Sequence, residues 1–69
     1  MYIVMNSEQV EDLLWEKRMS ARDLAAAAGL SRKTITRVEC GEPVRVGTAR
    51  KVAAALGVDP PQKLGRTVH

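Results

Sequence analysis

The spacing of four small or apolar residues between positions 21 and 42 limits most strongly how this chain can fold. Ala25 is followed four residues later by Gly29, and Ile35 and Val38 follow in the next segment. This spacing predicts two short helices joined by a turn of three or four residues, with the glycine in the left-handed conformation that ends the first helix. Ala25 must be small because the two helices approach each other closely there. The pattern therefore predicts a helix-turn-helix motif.

Length and composition predict one small domain. The chain has 69 residues, and its aromatic side chains are only Tyr2 and Trp15. A single core in a chain of this size contributes only about 3 to 5 kcal/mol, and little room remains for an enzyme cleft. No apolar run approaches the roughly 20 residues that span a bilayer, and the first five residues lack the basic region of a secretory signal. We expect a soluble, cytoplasmic domain without a membrane partner.

Positive charge is concentrated in the middle of the chain. Residues 1–19 contain four acidic and two basic side chains, whereas residues 20–51 contain seven basic and three acidic ones. The net charge of the whole chain is +3. A basic patch of this kind attracts polyanions, although a run of charge is more often only a solvated surface. Charge alone therefore leaves both interpretations open.

Capping signals predict an all-α fold, a compact bundle of five short helices. A serine precedes each of the first three helical patterns, and Asp23 completes a weaker form of the capping box with Ser20. Glycines mark the ends of the second, third and fourth helices, and Pro60 with Gln62 marks the start of a last turn. The predicted caps or first residues are, in chain order, Ser7, Ser20, Ser31, Thr48 and Asp59. Residues 42–47 are predicted to form a loop.

The predicted domain organisation has three parts. Residues 7–64 form the helix-turn-helix domain, residues 1–6 an apolar N-terminal arm, and residues 65–69 a flexible tail. The arm has the composition of a strand, and an unpaired strand invites a partner. Two interpretations stay open: the arm pairs with the same segment of a second copy, or an upstream start codon adds a mobile apolar tail.

Two segments, DLAAAAGLSRKTITRVECG and RKVAAALGVD, carry a resemblance to a known family. The chain from Val10 to Leu64 resembles the lambda-repressor-like helix-turn-helix family of the Xre or Cro type. The resemblance implies a five-helix domain whose third helix enters the major groove of double-stranded DNA. It also implies a sequence-specific transcription regulator, and we expect a small repressor that binds a palindromic operator as a homodimer.

The resemblance implies two groups of DNA contacts. The outer face of the third helix is expected to contact base edges, since arginine binds guanine bidentately and a threonine methyl can contact thymine. These base contacts are expected from Arg32, Lys33, Thr36 and Arg37. Helix N-termini and basic loop residues are expected to bind phosphate. The phosphate contacts are expected from Ser20, Arg22, Ser31, Arg45, Gly47, Thr48 and Arg50. Without the motif, an ordinary solvated helix face would explain the same residues.

Three positions depart from the family pattern. Many relatives carry an arginine at the position of Leu14, paired with the counterpart of Glu39, so Glu39 is expected to bond to backbone N–H groups or to Arg37. Trp15 replaces a polar residue and either covers the N-terminal arm or belongs to an interface with another chain. Cys40 is expected to be a passive small residue. The residues predicted for a dimer interface are Tyr2, Ile3, Val4 and Trp15.

Two other functions fit the same sequence. An antitoxin or a recombination directionality factor would share the fold and bind a toxin or an integrase, and a neighbouring gene for either would identify it. A protein-interaction module without DNA would bind its partner independently of salt. An enzyme is not expected, because His69 is the one histidine and lies in the predicted tail. The single cysteine allows no disulfide or paired-cysteine metal site, and we expect no metal or cofactor.

Overall fold

A computed structural model describes residues 1–58 and 61–68 of the chain. This part of the chain contains four α-helices, one 3-10 turn and three short strands. The helices are α1 (Ser7–Lys17), α2 (Ala21–Ala28), α3 (Arg32–Glu39) and α4 (Val46–Leu56), and the 3-10 turn is Pro61–Leu64. The strands are β1 (Tyr2–Met5), β2 (Pro43–Arg45) and β3 (Gly65–Val68). The predicted cap Asp59, Pro60 and the capping box that would join them to Gln62 lie outside the described residues.

The three strands form one antiparallel sheet with β1 in the centre. Tyr2 lies opposite Arg45 of β2 on one side and opposite Val68 of β3 on the other. The helix-turn-helix prediction is confirmed, but the prediction of an all-α bundle of five helices is wrong in two respects. The fold contains a small sheet, and its last helical element is a 3-10 turn. Residues 42–47, predicted as a loop, contain β2 and the first turn of α4, which begins two residues before Thr48.

The central position of β1 changes the predictions for both chain ends. The predicted strand at the N-terminus is present, but both of its edges pair within the chain. The pairing of β1 with β1 of a second copy is therefore wrong, and so is a mobile N-terminal tail. Residues 65–68, predicted as a flexible tail, form β3. Gly65 permits the close pairing, because a Cβ there would lie 2.8 Å from the Cα of Met5 and would clash with the carbonyl oxygen of Val4.

The start of α2 has the predicted capping box. The N–H of Asp23 donates to Oγ of Ser20 at 3.2 Å, and the N–H of Ser20 donates to the Asp23 carboxylate at 3.0 Å. Because the ionised carboxylate accepts the Ser20 bonds, these bonds hold the pKa of Asp23 below its usual value. At the other end of α2, Gly29 has a φ of 68°, the left-handed conformation predicted for it. These local features fix both ends of the first helix of the motif.

Side-chain caps also set the starts of α1 and α3. Ser31 caps α3 as predicted, since its hydroxyl accepts from the N–H of Thr34 at 3.2 Å. The prediction of Ser7 as the cap of α1 is wrong by one residue. The carbonyl oxygen of the Asn6 side chain accepts from the N–H of Gln9 instead, and Ser7 is the first helical residue.

The core takes apolar side chains from every helix and strand except β3. The predicted anchors of the motif are inside it: Ile35 and Val38 are fully buried, and Ala25 is nearly so. β1 contributes Ile3 and Met5, which are also buried. The other buried side chains are Val10, Leu14, Leu24, Val44, Ala49, Val52, Ala53, Leu56 and Leu64. The sheet therefore shares one core with the helices, and β1 is an integral part of the domain.

Candidate nucleic-acid interface

The outer face of α3 carries all four predicted base-contact residues. Because the opposite face of α3 is held in the core, this face is fixed in orientation and open to solvent. The hydroxyl of Thr36 donates to the carbonyl of Arg32 at 3.0 Å, which leaves the threonine methyl for an external contact. The four exposed residues are Arg32, Lys33, Thr36 and Arg37. The structure brings them together on one helix face, as the spacing predicts.

The first turns of α2 and α3 present different groups to an anion. Ser20 and Arg22 are exposed at the start of α2, but the Asp23 carboxylate lies beside them and would repel a phosphate. Ser31 is exposed at the start of α3, where its hydroxyl is bonded to Thr34. A phosphate at α3 would therefore meet the free N–H groups of the first turn, whereas one at α2 depends on the guanidinium of Arg22.

The start of α4 has no side-chain cap. Arg45 occupies the cap position without a side-chain hydrogen bond, so the first N–H groups of α4 lack a partner within the helix. Arg45, Gly47 and Arg50 are exposed, and Thr48 is half-buried. Uncapped N–H groups beside a guanidinium favour an anion. Among the starts of α2, α3 and α4, the start of α4 fits a phosphate best.

A groove of about 330 Å³ joins α3, the sheet and the start of α4. It brings Arg37, a predicted base contact, next to Arg45 and Thr48, which are predicted phosphate contacts. Tyr2 lines the same groove from β1 and is 45% exposed. From the sequence, Tyr2 is predicted only for a dimer interface. Its position beside the cations depends on the pairing of β1 with β2, and residues 43–45 carry no local signal for a strand.

The cationic side chains of this surface are available to bind a polyanion. No hydrogen bond within residues 1–58 and 61–68 joins a side chain of α3 or of the α4 start to a carboxylate. In the same residues, no three histidine, cysteine, aspartate or glutamate side chains are grouped to hold a metal ion. None of the described helices has the length and apolar character to cross a membrane. The surface is suited to bind phosphate groups through charge and N–H donors.

The residues predicted for a dimer interface occupy different environments. Ile3 is fully buried, and Val4 is half-buried. Tyr2 and Trp15 line two different grooves. Trp15 is 83% exposed, so the interpretation that it covers the N-terminal arm is wrong. Whether the exposed members of this set contact a second copy stays a prediction.

Glu39, the last residue of α3, does not make the hydrogen bonds expected of it. Glu39 is half-buried as a residue, and its carboxylate makes no hydrogen bond to the described residues, neither to backbone N–H groups nor to Arg37. Cys40 follows as the C-terminal cap residue of α3 and is exposed. These two residues lie at the opposite end of α3 from its N-terminal cap Ser31.

In comparison with known proteins, the chain matches the model of one protein family. Residues 11–63 match the family model described as Helix-turn-helix, which covers more than half of the chain. The matched segment contains α2, α3, α4 and β2, whereas β1 and β3 lie outside it. No curated protein and no solved structure is similar enough to count as a match. Two of the three strands are therefore features of this chain that the family match does not cover.

Proposed function

The chain belongs to the helix-turn-helix family of the lambda-repressor type, and we propose that it is a sequence-specific regulator of transcription that binds double-stranded DNA. The observation that supports this most is the face of α3, on which three cations and a threonine methyl stand exposed above buried Ile35 and Val38. A rigid helix with such a face fits the major groove, where arginine can distinguish guanine from the other bases.

We propose that different residues of this surface contact the bases and the phosphates of DNA. Arg32, Lys33, Thr36 and Arg37 contact base edges. Phosphates are bound by the helix starts and their neighbours, that is by Ser20, Arg22, Ser31, Arg45, Gly47, Thr48 and Arg50. The uncapped start of α4 and the guanidinium of Arg45 support the strongest of these phosphate sites. Tyr2 joins them, because it lies in the groove that Arg37 and Arg45 share.

The regulator is proposed to act as a repressor that binds a palindromic operator as a homodimer. A single short helix contacts few base pairs, so two copies on half-sites one turn apart, about 34 Å, would provide useful specificity. Occupation of the operator would block access of RNA polymerase. The pairing of β1 strands contributes nothing to this dimer, since both edges of β1 are paired within the chain.

Selection of bound sites from random duplexes tests the proposal. The full chain is incubated with a pool of random double-stranded DNA, and the bound fraction is amplified and sequenced over several rounds. The expected result is a palindrome that contains G·C pairs and has half-site centres one helical turn apart. The variant Arg37→Ala, selected in parallel, is the matched control and should lose preference at one position of each half-site. Enrichment of no sequence by the unaltered chain contradicts sequence-specific binding.

A further inference from the structure

A second groove lies between α1, the turn after it, the start of α2 and the end of α3. Its volume is about 810 Å³, against about 330 Å³ for the groove beside Tyr2. Leu14, Trp15 and Met19 form its apolar part, and Glu11, Asp23 and Glu39 form its acidic part. We call it the Trp15 groove. It contains none of the residues proposed to contact bases.

The exposure of Trp15 within this groove points to a partner. Trp15 is 83% exposed, the highest value among the large hydrophobic side chains of the described residues. A single exposed apolar residue is common and needs no explanation. Trp15, however, lines the same groove as half-buried Met19, so a partner would find two accessible apolar side chains above the buried Leu14. Tryptophan in such a position is the residue type that contributes most often to binding energy at protein interfaces.

The charge of the Trp15 groove defines the chemistry of that partner. Three carboxylates line it, from Glu11, Asp23 and Glu39, against one guanidinium, from Arg18. The groove is thus acidic on a chain whose net charge is +3. Glu39 is half-buried as a residue, but its carboxylate oxygens are accessible and have no hydrogen-bond partner among the described residues. A cationic side chain from outside could reach this carboxylate and pair with it.

We propose that the Trp15 groove binds a basic segment of a second, different protein. An apolar side chain of that segment packs on Trp15 and Met19, and its lysine or arginine side chains pair with Glu11 and Glu39. Because the groove is acidic, it would repel DNA and anionic membranes, which are therefore unsuitable occupants. A second copy of this chain is also unsuitable: a two-fold symmetric contact would place the acidic groove against itself, and the basic surface of another copy is the one proposed to bind DNA.

Selection from a displayed library of random 12-residue peptides tests this proposal on the full chain. The library is first depleted on the Trp15→Ala chain and then selected on the unaltered one. The expected peptides carry several lysine or arginine residues and at least one large apolar residue. Because Trp15 is the only tryptophan, its emission should shift to shorter wavelength when a selected peptide without tryptophan binds. Enrichment of no peptide, or of neutral or acidic peptides, overturns the proposal.

Substitutions in the Trp15 groove test which of its side chains contact the peptide. Anisotropy of a labelled selected peptide should show binding about 30-fold weaker to Trp15→Ala, the loss typical of a central interface residue. The double variant Glu11→Gln, Glu39→Gln should bind about tenfold weaker. The control Asp12→Asn, Glu16→Gln removes the same two charges from the exposed surface of α1 outside the groove and should change the affinity less than about twofold. Equal loss in this control variant would show that only overall charge matters, which overturns the proposal.

A measurement of mass separates the proposed partner from a second copy. Sedimentation equilibrium of the unaltered chain and of Trp15→Ala should give the same mass over the same concentration range. A larger mass that falls to that of the monomer in Trp15→Ala would identify a second copy as the occupant and overturn the proposal. Circular dichroism should show the same helical content in all variants, since these side chains lie at the surface. The outcome is independent of DNA binding, which is measured separately.

Discussion

At the scale of single residues, Arg37 and Arg45 share one groove but are expected to act differently on DNA. Arg37 stands on the exposed face of α3, and Arg45 stands on β2 before the uncapped start of α4. A guanidinium on a base edge discriminates between sequences, whereas one on a phosphate does not. The two arginines are therefore a matched pair for separating specificity from overall affinity.

Replacement of Arg37 by alanine should cost about 1 to 3 kcal/mol on the selected operator and relax preference at one base pair of each half-site. Replacement of Arg45 should weaken binding to all sequences alike. Titration of the operator and of a scrambled duplex by fluorescence anisotropy measures both effects. An equal loss for Arg37→Ala on the two duplexes would contradict its role as a base contact.

Tyr2 provides a second prediction at this scale. Its hydroxyl makes no hydrogen bond to the described residues, and it shares its groove with Arg37 and Arg45. Tyr2→Phe removes only this hydroxyl, so binding to operator and scrambled duplexes should weaken equally, by about 1 kcal/mol or roughly fivefold. The midpoint of thermal unfolding should stay unchanged. If Tyr2→Phe binds both duplexes with unaltered affinity, the Tyr2 hydroxyl makes no contact with DNA.

Because of the capping box of α2, the free energy of unfolding of the domain should depend on pH. The Ser20 bonds lower the pKa of Asp23 from its usual value of 3.8 in the folded chain. The folded state therefore binds fewer protons than the unfolded state, and this stabilisation is present above the usual pKa and is lost as pH falls through the lowered one. Asp23→Ala removes the carboxylate that accepts the bond from the backbone N–H of Ser20 and should lower the free energy of unfolding at pH 7.

Urea unfolding of the unaltered chain and of Asp23→Ala, followed from pH 7 to pH 2, measures this effect. The difference in stability between the two chains should shrink below pH 4, because protonated Asp23 no longer accepts the bond. Asp12→Ala is a suitable control, since the Asp12 carboxylate on α1 accepts no hydrogen bond from the described residues. A difference that stays constant down to pH 2 would contradict the proposed linkage.

At the scale of elements, the parts that could be predicted are those whose signals are local. The caps of α2 and α3 and the left-handed Gly29 each depend on residues within four positions of one another. The shared outer face of Arg32, Lys33, Thr36 and Arg37 followed from the period of one helix, whereas their role as base contacts is what the family resemblance implies. These features were therefore predictable, and the caps, the glycine and the shared face of α3 lie where local sequence signals predict them.

The sheet could not be predicted because its signals are weak and distant. β2 and β3 have three and four residues, contain Pro43 and Gly65, and exist as strands through pairing with β1 at the other end of the chain. Proline and glycine normally argue against a strand. The position of Tyr2 beside Arg45, and with it part of the candidate interface, depends on this pairing and was missed for the same reason.

Gly65 tests whether the sheet stabilises the domain. A Cβ at this position would meet the backbone of Val4 and Met5, so Gly65→Ala should separate β3 from β1 and cost about 1 to 3 kcal/mol. Gly47→Ala is the matched control, because a Cβ there meets no atom within 4 Å and alanine favours the helix. Thermal unfolding and amide exchange of β1 measure the loss. Equal stability of the two variants would show that β3 contributes little.

At the scale of the whole molecule, charge of opposite sign is placed on different surfaces. The face of α3 and the start of α4 are basic, whereas the Trp15 groove between α1, α2 and the end of α3 is acidic. Such a separation orients the domain as it approaches DNA, with the basic surface forward, and leaves the acidic groove for a cationic partner. The two surfaces share Ser20, which lines the groove and is a proposed phosphate contact, and the other proposed DNA contacts lie outside the groove.

Salt dependence measures how much of DNA binding comes from the basic surface. If each copy neutralises about four phosphates, the logarithm of the binding constant should fall with the logarithm of salt concentration at a slope of about −3.6 per copy. Arg45→Ala should make the slope shallower by about 1, because one phosphate contact is lost. Glu16→Gln should leave the slope unchanged, since its carboxylate lies on α1. A slope near zero in the unaltered chain would contradict DNA binding through this surface, because release of counterions cannot be avoided when cations cover phosphates.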